Sequence, residues 1–181
     1  MTMYMERALF VVAPRNYGKS AILRSMLRDK RFGVPREAWQ TQKKLPDDYR
    51  LGNDRRLYLR LTSPHEMNES LEEFLGKSRA KMLSGRWCFA GPLHPEAFRS
   101  MPDARSTLEA FIREFDPERV RVMLPWPSHR SGINDEDFGE EEVSSLLTAF
   151  QSVEGRIEAH CLDTRSRDRN GLVLSDFFDF T

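Results

Sequence analysis

Residues 8–13, Ala-Leu-Phe-Val-Val-Ala, form an unbroken apolar run rich in β-branched side chains. A strand with one wet face alternates polar and apolar positions. A run without alternation therefore predicts a strand covered on both faces, as in a parallel sheet between helical layers. A turn-like stretch follows at once, and in 21–29 the apolar Ile22, Leu23, Met26 and Leu27 fall on one helical face with Arg24 and Arg28 on the other. Strand, loop and helix are contiguous, so the remaining chain must supply further strands joined by helical crossovers.

The expected partners follow in order. Leu57, Leu59 and Leu61 predict a second strand, and 86–90 a third, ended by Gly91-Pro92. Val120, Val122 and Leu124 predict a fourth, stopped by Pro125 and Pro127, and 157–162 a fifth. Between them, Ser63-Pro64-His65-Glu66 reads as a capped helix start continued by Met67, Leu71, Phe74, Leu75 and Met82. Leu108, Phe111, Ile112 and Phe115 mark another helix. Val143, Leu146, Leu147 and Phe150 mark the last, after an acidic first turn. The predicted fold is an α/β three-layer sandwich, a mostly parallel five-stranded sheet with helices on both faces. Asn170-Gly171 predicts a hairpin turn and an antiparallel edge strand at the C-terminus. Phe177, Phe178 and Phe180 read as docked on their own core rather than as a partner-binding tail. The stretch 31–55, with Gly33, Pro35, Pro46, Asp47, Asp48 and Gly52, reads as a long surface excursion.

The 181 residues suit a single domain, 1–181, since domains usually run ~100 to 200 residues. Twenty-eight basic and 28 acidic residues cancel, which removes the global attraction to nucleic acid or an anionic membrane. Any anion site must be local. No apolar run approaches the ~20 residues that span a bilayer, and 1–7 lacks a signal-peptide pattern, so a cytoplasmic location is expected. Cys88 and Cys161 read as reduced, buried thiols. His65, His94, His129 and His160 have no zinc-site spacing.

Between the first strand and the first helix stands Ala13-Pro14-Arg15-Asn16-Tyr17-Gly18-Lys19-Ser20, then Ala21. This is the spacing of a phosphate loop. Gly18 lets the backbone curl so that successive N–H groups point inward at phosphate oxygens, and the helix N-terminus adds its positive dipole end. Lys19 is placed to reach the β and γ phosphates, and Ser20 to ligate Mg²⁺. The β-rich run before it and the amphipathic helix after it are the context this motif requires.

Over residues 8–29 the chain resembles the P-loop NTPase superfamily, with the Walker A loop at 13–20, and its size is similar to that of the small P-loop kinases. Ala13 stands where that family more often has Gly. The resemblance implies nucleotide binding, with ATP favoured over GTP because no Asn-Lys-x-Asp segment follows a strand, and it implies Mg²⁺ as cofactor.

A strand ending in the acid that holds Mg²⁺ is missing, since neither Thr62-Ser63 nor Ala90-Gly91-Pro92 offers a carboxylate. Asp163 ends the fifth strand but reads as a turn cap. Glu66 reads as half of a capping box, with a catalytic or metal-binding carboxylate as the alternative. Arg165, Arg167, Arg169 and the pair His129-Arg130 read as solvated loop charges, or alternatively as contacts to the base or phosphates, or a lid. Arg15 is better placed than any of them. The expected function is a Mg-dependent phosphotransferase or NTPase, with Lys19 catalytic and an acceptor the sequence does not name. The alternative is a nucleotide-binding switch or regulatory subunit with little hydrolysis that works through a protein partner, and a third reading is a P-loop fold that binds no nucleotide.

Overall fold

The computed structural model describes residues 2–41, 45–127, 138–153, 157–165 and 167–180. Its strands are β1 (Met3–Val12), β2 (Asp48–Gly52), β3 (Arg55–Leu59), β4 (Gly85–Leu93), β5 (Arg119–Leu124) and β6 (Ile157–Cys161). Its helices are α1 (Lys19–Ser25), α2 (Arg36–Thr41), α3 (Leu71–Lys81), α4 (Ala104–Phe115), α5 (Glu140–Gln151) and α6 (Arg167–Ser175). The sheet has six strands in the order β2-β3-β4-β1-β5-β6, and all pairs are parallel except β2 with β3.

The crossovers explain the layers. Ile22, Leu23 and Met26 from α1 and its 3-10 extension pack with Leu9 and Val11 on one face of β1, where Leu174 of α6 joins them. Phe74 of α3, Leu108 and Phe111 of α4, and Val143 and Phe150 of α5 pack with Ala8, Phe10 and Val12 on the other face. A right-handed connection that runs from β1 out to β3 must use one face, and those that step back through β4 to β5 and β6 must use the other. The apolar run 8–13 is thus covered on both sides, as its lack of alternation predicts.

Several expectations are corrected. The sheet has six strands, not five, and its antiparallel edge is β2, drawn from the 31–55 stretch. That stretch also holds α2 and a 3-10 turn at Lys30–Phe32. The hairpin turn is Asn53-Asp54, both at positive φ (49° and 57°), where short polar side chains tolerate the left-handed conformation. Asn170-Gly171 instead lies inside α6, and no C-terminal strand follows it among the described residues.

The helix after β3 starts later than Ser63. Its N-cap is Ser70, whose side chain accepts from Glu73 N (3.2 Å) while the Glu73 carboxylate accepts from Ser70 N (2.8 Å). Two Ser-x-x-Glu sequences compete here, and the second is the one that adjoins the helix. Glu66 therefore caps nothing.

β1 begins at Met3, ahead of the apolar run, and a bulge between Met5 and Arg7 interrupts its alternation. The bulge turns Glu6 inward, where it is buried (4% exposed) against Arg55 (3.3 Å) and Arg86. β4 runs past Gly91-Pro92 to Leu93. The Ala90 carbonyl accepts from Arg60 N on the β3 side (2.8 Å), and Pro92, two residues on, faces the same side beyond the end of β3, where no N–H is needed.

Phe177 and Phe178 are buried, and Phe180 packs on Phe32 with ring centroids 4.9 Å apart, so the C-terminal aromatics dock on the core. Cys88 is buried, but Cys161 is exposed at the edge strand. No helix among the described residues is long and apolar enough to cross a membrane.

Candidate functional site

The chain leaves β1 and β4, which are neighbours, in opposite directions. The loop after β1 feeds α1 on one face, and the loop after β4 feeds α4 on the other. In open α/β sheets a crevice forms where adjacent strands part in this way, at their carboxyl ends. Here the crevice lies between residues 13–18 and 94–102, with the 60–69 loop after β3 beside it.

Gly18 is left-handed (φ 79°, ψ 17°), as is Asn16 (φ 67°). The first is the glycine that the sequence singles out. The second shows why Asn serves at its position. Ala13 is buried, and its N–H donates to Leu93 O (3.3 Å), which ties the loop's first residue to β4. Tyr17 points into the core, 3% exposed, edge-on to Phe138 with centroids 5.2 Å apart. It holds the loop down rather than facing a ligand. Arg15, Asn16, Ser20 and Ala21 are exposed, and Pro14 is half-buried.

Lys19 is buried (4% exposed), and its Nζ donates to Ala13 O (2.8 Å) and Pro14 O (2.7 Å). Burial pushes this ammonium down to about 8, against a smaller opposing effect of the Glu66 charge. The unfolded chain therefore binds more protons than the folded one between about pH 8 and the free-lysine value of 10.5, so stability from this group rises with pH across that window. Urea midpoints of wild type and Lys19→Met at pH 7, 8, 9 and 10 should show wild type gaining about 2 kcal/mol on the variant between pH 8 and 10. A constant difference would mean that Lys19 titrates as a free lysine.

Two histidines lie opposite the loop. His65 is buried (1% exposed), with Nε2 donating to Pro102 O (2.9 Å) and Nδ1 beside Ser63 Oγ (3.2 Å), partners that select the neutral Nε2–H form. His94, the residue after β4, stacks on it with centroids 5.0 Å apart and planes 5° from parallel. Burial, followed by the Lys19 and His65 charges, pushes His94 down to about 4, so it is neutral at pH 7. Its Nε2 lies 3.5 Å from Glu66 Oε1, too far for a good hydrogen bond, and has no hydrogen-bond partner among the described residues. The tip of the strand beside β1 thus carries a neutral imidazole.

Two cavities of about 330 Å³ each adjoin the loop. Arg15, His94 and Phe98 line both. One extends to Glu142 of α5, the other to His65, Glu66 and Arg99. The Ser20 hydroxyl donates to Leu61 O, two residues beyond the end of β3.

The more distant candidates stay apart. Asp163 accepts from Arg165 N (3.0 Å), the turn cap its position predicts, and it pairs with the Arg165 guanidinium. Arg167 and Arg169 belong to α6 rather than to a loop, and β6 is the far edge strand. His129 and Arg130 lie outside the described residues. Sequence reasoning did not single out His94, because Gly91-Pro92 read as the end of its strand, and it held Glu66 as a catalytic or metal-binding carboxylate only as the alternative to a capping box. No protein-family model matches the chain, and no curated protein sequence matches it.

Proposed function

We propose that the chain binds ATP through the 13–20 loop and transfers its terminal phosphoryl group. The observation that carries this reading is Lys19, an ammonium kept almost out of water at the carboxyl end of β1 by the carbonyls of its own loop. A buried cation with two neutral acceptors costs stability, and a polyanion supplies the missing counter-charge. Left-handed Gly18 and the crevice between β1 and β4 support the same reading.

Mg²⁺ fits the residues present. The ion keeps several waters and takes one or two protein oxygens beside substrate phosphates, and no group of three metal-ligating side chains occurs among the described residues. Ser20, exposed on the first turn of α1, would hold it, and the ion would supply positive charge against the phosphates. Lys19 would bind and orient the phosphates.

The neutral His94 favours a second reading, a nucleotide-dependent switch with slow hydrolysis, because the residue that follows β4 is an imidazole and not the acid that would hold Mg²⁺.

Thermal unfolding with and without Mg²⁺ and ATP or GTP, on wild type and Lys19→Ala, tests the binding. Nucleotide at ~100 times its dissociation constant adds about 2.7 kcal/mol to the folded state, and the midpoint should rise by roughly 5 to 10 °C in wild type. The variant should show none of it. No shift at millimolar nucleotide would refute the reading.

A further inference from the structure

The cavity bounded by Arg15, His65, Glu66, His94, Phe98 and Arg99 has a volume of about 330 Å³, the size of a small-ligand site. Its walls differ in charge. Arg15 and Arg99 form no ion pair among the described residues, whereas Arg55, Arg60 and Arg86 rest on carboxylates. Arg99 sits at the head of a tight turn closed by Phe98 N to Met101 O (2.9 Å) and Met101 N to Phe98 O (3.1 Å). Its φ of 54° is unusual for a side-chain-bearing residue, and such strain gathers where a ligand is held. The guanidinium lies over the Phe98 ring, 5.2 Å from its centroid, and Phe98 is itself half exposed at 49%.

The other wall carries Glu66 and the unpartnered Nε2 of His94. A buried polar nitrogen without a partner calls for an explanation, and a ligand hydroxyl provides one. An anionic ligand has only one favourable orientation in such a cavity, with its anion toward the arginines and its uncharged end toward Glu66, because the reverse sets two negative charges together.

Resting on the nucleotide reading above, we propose that this cavity is the acceptor site and that the acceptor is a small alcohol bearing a phosphate or carboxylate. Arg15 and Arg99 hold the anion. The Nε2 of His94, fixed by stacking on His65, holds the hydroxyl toward Glu66. The hydroxyl oxygen forms its bond to the terminal phosphorus of the nucleoside triphosphate as the bond from that phosphorus to the bridging oxygen breaks. Glu66 takes the hydroxyl proton, and the nucleoside diphosphate leaves with the electron pair.

The test follows ADP release by the full chain with Mg²⁺ and ATP in the presence of ribose 5-phosphate, glycerate, ribose or glycerol. Ribose 5-phosphate or glycerate should accelerate release at least about tenfold and the neutral alcohols should not, the phosphate and carboxylate arms telling which anion fits. Arg99→Gln should raise the acceptor KM about tenfold or more and leave the nucleotide-induced midpoint shift intact. Glu66→Gln should lower kcat about a hundredfold with acceptor KM little changed. If nucleotide raises the wild-type midpoint but neither anionic alcohol outperforms its neutral counterpart, the acceptor site is overturned and nucleotide binding stands. A wild-type chain without a nucleotide shift overturns both.

Discussion

Gly171→Ala is expected to lower the unfolding midpoint by roughly 6 to 12 °C, equivalent to about 3 kcal/mol. Gly171 lies in α6 where that helix crosses the end of α1, and a methyl group there would stand 2.1 Å from Ser25 O and 2.4 Å from Ser25 C. The obstacle is backbone, so no rotamer change relieves it, and the two helices must separate. Separation opens the layer in which Leu174, Phe177 and Phe178 pack against Leu9 and Val11. Gly76→Ala is the matched control. Gly76 lies within α3 with nothing within 4 Å of an added methyl, and Ala is the better helix former by about 1 kcal/mol. The same substitution should therefore destabilise at one helical glycine and stabilise at the other. Urea unfolding of both variants checks the pair, and equal stability of wild type and Gly171→Ala would mean that α6 does not approach α1 this closely.

Glu6→Ala is the second large effect, about 3 to 5 kcal/mol of lost stability. Its carboxylate serves two arginines, Arg55 at 3.3 Å and Arg86 through an Nε contact of 2.5 Å, and both Glu6 and Arg55 have side chains only 5% exposed. Arg55 also donates to Phe178 O at 3.3 Å and to Asp179 O, so it joins the base of the sheet to the C-terminal segment. Removal of the carboxylate takes the counter-charge at 3.3 Å from a guanidinium whose side chain is only 5% exposed. The loss should come from that stranded charge rather than from the pair as such, so Glu6→Leu with Arg55→Met should recover most of it. A double variant as unstable as the single would show instead that the ion pair itself holds the C-terminal segment.

The site was legible in part. The backbone at Gly18 and the place of Lys19 were legible from spacing and context because the demands on them are local: a left-handed turn, and a cation on the first turn after a buried strand. Arg15 was legible for the same reason, and it lines the crevice. His94 was not, and Glu66 was legible only as the alternative to a helix cap. Each has an ordinary local explanation, a helix cap for one and the end of a strand for the other, and only the meeting of the loops after β3 and β4 brings them within 3.5 Å of each other. Asn170-Gly171 misled for a related reason. The dipeptide favours a turn in isolation, but close helix packing also requires a residue without a side chain, and tertiary contact overrides the local preference.

The sequence by itself determined the alternation of strands and helices, the covering of β1 on both faces and the left-handed turn at Gly18, since hydrophobic period and backbone sterics act over a few residues. The tertiary structure decided the strand order, the antiparallel edge at β2, the inward turn of Glu6 and the meeting of Glu66 and His94 beside the crevice. These depend on which segments, far apart in the chain, share one sheet end, and no local pattern encodes that distance.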